Sequence, residues 1–224
     1  MRDTNVPLAM ARSLLAQTGA LLIKPDAVEL GIAEELIYEA QSRLLKENIE
    51  LTGVAILTVP DDAGHKLYPS MNSDKLTYVM REYLTQGESV IAIFVGGQST
   101  NVTERLVEIR GKQLFNYSVE ELMAMPYGLQ DSLRGIIPVP GTGEHYRPII
   151  QRLISDRLGL TRPLTKRQDY SAGYRNLVHA PRDPMELCGL LSIAPPDLLR
   201  EALGGLYYLY ELVSSYDPVS IYDS

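Results

Sequence analysis

The stretch SVIAIFV, residues 89–95, is an unbroken apolar run that ends at Gly96 and Gly97. A run this short, rich in β-branched residues, is typical of a strand buried on both faces. GALLI at 19–23 also predicts a buried strand, and IELTGVAILTV at 49–59, rich in β-branched residues, predicts another. Three strands of this kind predict a sheet with helices packed on it.

Segments with apolar residues at helical spacing lie between and after these strands. Residues 31–47 place apolar side chains four positions apart, which predicts an amphipathic helix. A short last strand is predicted at NLVH, 176–179. Further helices are predicted at 74–86, 100–110, 118–124, near 147–158, at 183–193 and from Pro195 to Leu209. The order β-α-β-α-β-α, a long excursion, then β-α predicts an α/β (α+β) fold, a ferredoxin-like antiparallel sheet with packed helices.

Composition narrows the class of protein. The chain has 224 residues, 45% of them hydrophobic, which is enough for one large core. Its formal charge of −7 argues against a specific nucleic-acid binder. The single cysteine, Cys188, suits a reducing cytoplasm, and no stretch approaches the ~20 apolar residues of a membrane span. We expect a cytoplasmic protein with no membrane association.

The chain divides into a main domain with additions. Residues 1–17 are predicted to be an N-terminal extension, 18–194 the domain, and 195–224 a C-terminal helix and tail. An insertion at 138–172 stands out, because Tyr146 to Arg175 carries seven Arg or Lys against two Asp. It is either a surface decoration or oligomer contact, or a lid that meets extra phosphate or an acidic partner.

Four cationic or imidazole side chains are candidates for chemistry. Lys24 directly follows an apolar strand, and Arg105 and Arg134 each stand in apolar surroundings. Guanidinium groups clamp phosphate oxygens, although each arginine could equally form a surface salt bridge. His179 ends the last predicted strand, and a neutral imidazole is a good nucleophile near neutral pH. The histidines and Cys188 lack metal-ligand spacing, which disfavours zinc.

Taken in order, several motifs resemble those of nucleoside diphosphate kinases. They are IKPDAV (23–28), SVIAIFVGG with NVTERLVEIRGK (89–112), SLRGI (132–136) and NLVHAPRD (176–183). The resemblance extends over about residues 18–194. It implies a ping-pong phosphotransferase, in which a histidine takes the γ-phosphoryl group of a nucleoside triphosphate and passes it to a diphosphate.

The resemblance also implies roles for individual residues. His179 is similar to the phosphorylated nucleophile, and Lys24 and Asn176 to residues that contact sugar hydroxyls and nearby phosphate oxygens. Arg105 and Arg134 resemble the phosphate clamps. Tyr68 resembles the tyrosine beside the transferred phosphate, and Tyr78, or else Leu76, is the nearest candidate for the base-stacking position.

The same resemblance implies cofactor and partners. Mg²⁺ would be carried on the phosphates of ATP or another nucleoside triphosphate, with no metal site on the protein. Nucleoside di- and triphosphates are the expected partners. A homo-oligomer is also expected, and the enlarged loops favour a dimer.

The sequence departs from the family after its histidine. A small residue and then serine are usual there, and the serine helps to hold a downstream glutamate. Here Ala180 is followed by Pro181, Arg182 and Asp183. Asp183 or Glu186 could replace that glutamate. The alternative function is therefore a catalytically weak nucleotide-binding or assembly module that retains the kinase fold, and a specialised acceptor is a further possibility.

Overall fold

A four-stranded antiparallel sheet organises the chain. The computed structural model describes residues 8–29, 31–69, 84–110, 133 and 178–204. The strands are β1 (Thr18–Ile23), β2 (Glu50–Thr58), β3 (Glu88–Val95) and β4 (Val178–His179), in the order β2-β3-β1-β4. Every neighbouring pair is antiparallel. This is the ferredoxin-like arrangement predicted from the sequence, and the fold class is confirmed.

Seven helices surround the sheet in the described part of the chain. They are α1 (Leu8–Ala16), α2 (Pro25–Glu29), α3 (Ala33–Leu45), α4 (Gly64–Leu67), α5 (Val102–Arg110), α6 (Pro184–Leu191) and α7 (Pro196–Ala202), with a 3₁₀ turn at Asp61–Ala63. The predicted helices over 31–47, 100–110 and 183–193 are confirmed. Helices α1, α2 and α4 were not predicted, and the last two are too short to show periodicity. The helix predicted from Pro195 is confirmed as α7. Residues 74–83 of the helix predicted at 74–86, the helices predicted at 118–124 and near 147–158, and the insertion 138–172 lie outside the described residues.

Strand alternation gives the sheet two buried faces. On β1, Ala20 and Leu22 belong to the core cluster that includes residues of α1, α4, α6 and α7. Leu21 and Ile23 belong to the opposite cluster, with residues of α2, α3 and α5. Successive side chains of a strand point to opposite faces. We call these the α6 face and the α3 face, and each site residue can be assigned to one of them.

Two glycines allow neighbouring elements to pack closely against each other. A Cβ added to Gly19 of β1 would lie 2.5 Å from Leu106 and 2.8 Å from Val102 of α5. A Cβ added to Gly189 of α6 would lie 1.8 Å from the carbonyl oxygen of Lys66 in α4. Glycine at both positions lets backbones approach more closely than any side chain would allow. Helix α5 therefore lies against β1, and α4 lies against α6.

The outer edge of the described sheet is partly apolar. Val54 and Ile56 on β2 are exposed, as is Tyr38 on α3. The dimer predicted from the sequence stays a prediction.

Among the described residues no helix is both long and apolar enough to cross a membrane.

Candidate functional site

His179 is fixed at the centre of the site by backbone pairing. In the antiparallel register it lies opposite Leu22, and Val178 lies opposite Ile23. Directly paired residues share a face, so the His179 side chain points to the α6 face, where Leu22 lies. Only 6% of His179 is exposed. An imidazole held this way is positioned by the central strand of the sheet.

Tyr68 meets His179 on that face. It follows α4 directly, is buried, and lies edge-on to the imidazole with 5.1 Å between ring centroids and an interplanar angle of 66°. Its backbone N–H donates to the carbonyl of Gly64, which ties the tyrosine to the helix end. Because α4 packs against α6, the position of Tyr68 depends on the contact between Gly189 and Lys66.

Lys24 is buried at the end of β1. Only 1% of the residue is exposed, and its Nζ lies 6.0 Å from the centroid of the Tyr68 ring. Its carbonyl accepts from the N–H groups of Ala27 and Val28, which starts α2 and fixes the backbone at this point. A lysine is rarely buried so deeply without a polar or charged counterpart. Lys24, Tyr68 and His179 thus form one cluster, and the roles that the resemblance implies for them stay predictions.

Arg110 belongs to the same region, although it is not among the site residues predicted from the sequence. It ends α5, and its Nη1 donates to the carbonyl oxygen of Ala180, the residue after His179, at 2.9 Å. Burial lowers the pKa of Arg110, and nearby Arg182 lowers it further, whereas Glu186 and Tyr68 act in the opposite direction. Arg110 is therefore a partly buried cation among groups that surround the histidine.

Arg105 is directed elsewhere. Its Nε donates to Glu47 at 2.6 Å, and its guanidinium forms further ion pairs with Glu47 and Glu108. The hydrogen bonds between Arg105 and Glu47 raise the pKa of Arg105 and lower that of Glu47. Five residues along a helix correspond to about 140° of rotation, so Arg105 and Arg110 lie on different sides of α5. Arg105 is thus engaged by Glu47 and Glu108, and its role as a phosphate clamp stays a prediction.

The turn after His179 is held by a buried carboxylate. Glu186 is only 1% exposed, and its oxygens accept from the backbone N–H of Arg182 at 2.9 Å and from the Arg182 guanidinium at 2.5 and 3.0 Å. Asp183 caps α6, because its Oδ1 accepts from the N–H of Glu186 at 2.9 Å. Pro184 follows as the first helical residue, where its missing N–H costs nothing.

This turn shows what Asp183 and Glu186 do. Asp183 is a helix cap, and Glu186 binds Arg182 while its charge also acts on Arg110. Both residues thus hold the segment Ala180–Asp183 between α5 and α6. Their sequence signal is a capping pattern, an Asp before Pro and a Glu three residues after the Asp.

Three expected site residues lie outside the described part of the chain. They are Asn176, Arg134 and Tyr78, together with the alternative Leu76. Leu133 is described, and its N–H donates to the carbonyl of Ile109 at 2.8 Å. The backbone just before Arg134 therefore lies beside the end of α5, next to Arg110.

A groove of about 550 Å³ lies beside the turn. Its lining comes from α1, from Asn101 and one side of α5 as far as Glu108, and from Arg182, Asp183 and Pro184. Within the described ranges no group of three or more His, Cys, Asp or Glu could hold a metal ion. The described charges near His179 are mostly cationic, which suits phosphate oxygens better than a bare Mg²⁺.

Comparisons with known proteins agree with this fold. No protein-family model matches the chain. A nucleoside diphosphate kinase of Saccharolobus solfataricus is 26% identical over 94 residues, which is 42% of this chain and 65% of the relative. The match thus spans just under two thirds of that relative's length.

Solved structures resemble a larger share of the chain. The nucleoside-diphosphate kinase from Borrelia burgdorferi, solved as a transition-state mimic with bound vanadate and ADP, superimposes with a TM-score of 0.50 at 16% identity. It covers 84% of this chain and 90% of its own. The Aquifex aeolicus nucleoside diphosphate kinase gives a TM-score of 0.47 at 15% identity, covering 78% and 94%. The chain therefore has the nucleoside diphosphate kinase fold, and part of its sequence is similar to a member of that family.

Proposed function

We propose that the protein is a nucleoside diphosphate kinase-like phosphotransferase that works through a phosphohistidine at His179. The observation that carries the proposal is the cluster itself. His179 lies at the end of β4, edge-on to Tyr68, with Lys24 and Arg110 beside it. The fold and the partial sequence similarity to a nucleoside diphosphate kinase support the same function.

The proposed chemistry has two balanced halves. An imidazole nitrogen of His179 forms a bond to the γ-phosphorus of a nucleoside triphosphate. The bond from that phosphorus to the bridging oxygen breaks, and the diphosphate leaves with the electron pair. In the second half, a terminal oxygen of another diphosphate attacks the phosphohistidine, and the imidazole is released.

The described residues have separate roles in this scheme. Phosphoryl transfer requires alignment of the reacting atoms and neutralisation of charge on the phosphate oxygens. Pairing of β4 with β1 and the contact with Tyr68 align the imidazole. Lys24 and Arg110 neutralise charge, and a buried site strengthens that interaction. Asn176 and Arg134 are proposed to assist them, and Tyr78 to contact the base.

Mg²⁺ would enter the site bound to the phosphate oxygens of the substrate. The described cations around His179 favour phosphate oxygens, which would themselves carry the metal. When bound there, Mg²⁺ would neutralise charge that Lys24 and Arg110 leave on the phosphates.

The test is formation of a phosphoenzyme. The full-length protein is incubated with γ-labelled ATP and Mg²⁺, and the label is expected to be acid-labile and base-stable. His179→Ala should remove it. The matched control is His65→Ala, an exposed histidine outside the cluster, which should keep it.

Two results separate the candidate functions. Label that survives His179→Ala would overturn the proposal. Nucleotide binding without any label in the wild-type protein would instead favour the binding module. Transfer from the labelled enzyme to an added nucleoside diphosphate completes the cycle and would identify the acceptors.

A further inference from the structure

The hydroxyl of Ser89 is a buried polar group that the proposed reaction does not use. Ser89 stands in β3, between Glu88 and an apolar run, and none of the residue is exposed. Within the part of the chain that the structure describes, its Oγ has no hydrogen-bond partner. A buried hydroxyl without a partner costs stability, whereas the methyl group of alanine at the same place would carry no such cost. A residue that breaks a local rule in this way is typical of a functional site.

Two other buried hydroxyls have partners within the protein. Thr18 donates to the carbonyl of Leu14, and Thr103 donates to the carbonyl of Thr18, both at 3.1 Å. These threonines stabilise the contacts of β1 with α1 and α5. Ser89 forms no bond of this kind, so a structural role does not account for its hydroxyl.

The strand register places Ser89 on the α6 face. It lies opposite Leu57 of β2, and Leu57 packs against the core cluster of that face. Directly paired residues share a face. Lys24 is directed to the same face, because its Nζ lies 6.0 Å from the centroid of the Tyr68 ring, and Tyr68 belongs to that cluster.

Ser89 and Lys24 are also neighbours across β1 and β3. The last pair of these two strands lies just before Lys24 on β1 and just after Ser89 on β3, so one further step of the antiparallel register brings the two residues side by side. The chains remain close beyond this point, since a Cβ added to Gly87 would lie 3.0 Å from the Cβ of Pro25. Opposed side chains of adjacent strands are near enough to form hydrogen bonds. Ser89 therefore places a hydroxyl next to the buried lysine of the cluster.

We propose that Ser89 is a positioning residue for Lys24, and that its hydroxyl oxygen accepts a hydrogen bond from the Lys24 ammonium when phosphate oxygens bind at the cluster. The proposal rests on the proposed function and adds a residue to its site. An ammonium has three N–H donors, so Lys24 can contact Ser89 and phosphate oxygens at the same time. The stem of a lysine is flexible, whereas Ser89 is held by the strand. The hydroxyl thus fixes the direction from which the ammonium meets the phosphate.

The test measures the binding of ADP, which lacks the γ-phosphoryl group, to the full-length protein by calorimetry. Ser89→Ala removes the hydroxyl, Ser89→Thr retains it, and Lys24→Met removes the ammonium at similar length. Ser89→Ala is also made in the Lys24→Met background. Thr103→Val, which removes a buried hydroxyl that has a protein partner, is the matched control.

The proposal predicts that the two substitutions are coupled. Ser89→Ala should weaken ADP binding by about tenfold, because a hydrogen bond to a charged group is lost. In the Lys24→Met background it should have no further effect, since the hydroxyl acts through the ammonium. Ser89→Thr should retain most of the affinity. The thermal midpoint of the ligand-free protein should rise in Ser89→Ala and fall in Thr103→Val, and the ADP affinity of Thr103→Val should equal that of the wild type.

Other outcomes would overturn the proposal. A structural role for Ser89 would lower the thermal midpoint of Ser89→Ala and leave its ADP affinity unchanged. A loss of affinity that persists in the Lys24→Met background would mean that Ser89 contacts the nucleotide directly. If Lys24→Met does not fold, Lys24→Gln replaces it in the same comparison. ADP binding requires no phosphoenzyme, so failure of this proposal is distinguishable from failure of the reaction at His179.

Discussion

Arg105 and Arg110 lie on the same helix and have opposite environments. Arg105 is paired with Glu47 and Glu108 at a partly exposed surface. Arg110 is directed toward the turn that follows His179. The difference shows that the position of a charge around the helix, rather than its presence in an apolar helix, decides whether it can reach a site.

The largest expected difference between the two arginines is in turnover. Arg110→Gln should lower the rate of phosphoryl transfer by about 10²-fold or more, because it removes a cation from the developing phosphate charge. Arg105→Gln should change the rate less than about fivefold, because exposed ion pairs contribute about 0–1 kcal/mol. Steady-state assays of both variants with ATP and a nucleoside diphosphate make the comparison. If Arg105→Gln has the larger effect, the assignment that the sequence suggested is restored.

The periodicity of α5 contained the signal that would have identified Arg110. Thr103 and Leu106 are buried, and Arg110 continues their line around the helix at spacings of three and four. Arg105 instead lies on the side of the helix that carries Glu108. The apolar positions alone predict the helix, whereas a choice between the two arginines also requires knowing which of them shares the buried face.

Strand alternation made most of the fold predictable. The apolar runs of β1 and β3 and the spacing of α3 and α5 are local patterns that tertiary packing reinforces. Position at or just after a strand end made His179 and Lys24 candidates, and their expected roles came from the resemblance to nucleoside diphosphate kinase motifs. The role of Glu186 was only partly accessible, because its burial depends on how the turn after His179 packs against α5. Neither α2 nor α4 has enough residues for a periodic signal.

Gly189 and Gly97 differ in the space that surrounds them. Gly189 packs against the carbonyl of Lys66, whereas a Cβ added to Gly97 would meet nothing within 4 Å. Gly189→Ala should therefore lower the free energy of unfolding by about 1–3 kcal/mol through overpacking. It should also slow turnover by moving α4 and hence Tyr68. Gly97→Ala is the matched control and should have little effect on either, as measured by chemical denaturation and by the kinase assay.

The reactivity of Cys188, the neighbour of Gly189, can be used to measure how firmly α4 and α6 pack together. The thiol is buried, and burial raises its pKa to about 11, so it is protonated and unreactive at neutral pH. Alkylation of the native protein should therefore be slow, and faster in Gly189→Ala than in Gly97→Ala. Equal alkylation rates together with equal unfolding free energies would mean that α4 and α6 separate without cost, and Gly189 would then have no part in placing Tyr68.

The smallest expected effect is on stability, through the ion pair between Arg105 and Glu47. The contact with Arg105 lowers the pKa of Glu47 from its ordinary value of 4.5. A lowered pKa in the folded state means that the pair stabilises the protein above that ordinary value. The contribution is lost as the pH falls through the pKa of folded Glu47. Because both side chains are about one third exposed, the contribution at neutral pH is about 0.2–1 kcal/mol and decreases with salt.

Glu47→Gln isolates this contribution. Its free energy of unfolding should be slightly below that of the wild type at pH 7 and equal to it below the pKa of folded Glu47. Glu39→Gln, which breaks the pair with Arg43 within α3, gives a comparison of similar exposure. Nucleotide affinity should be the same in Glu47→Gln as in the wild type. If Arg105 were a phosphate ligand, releasing it from Glu47 would strengthen nucleotide binding. Glu47→Gln therefore tests both the contribution of the Arg105–Glu47 pair to stability and the separation of that pair from the site.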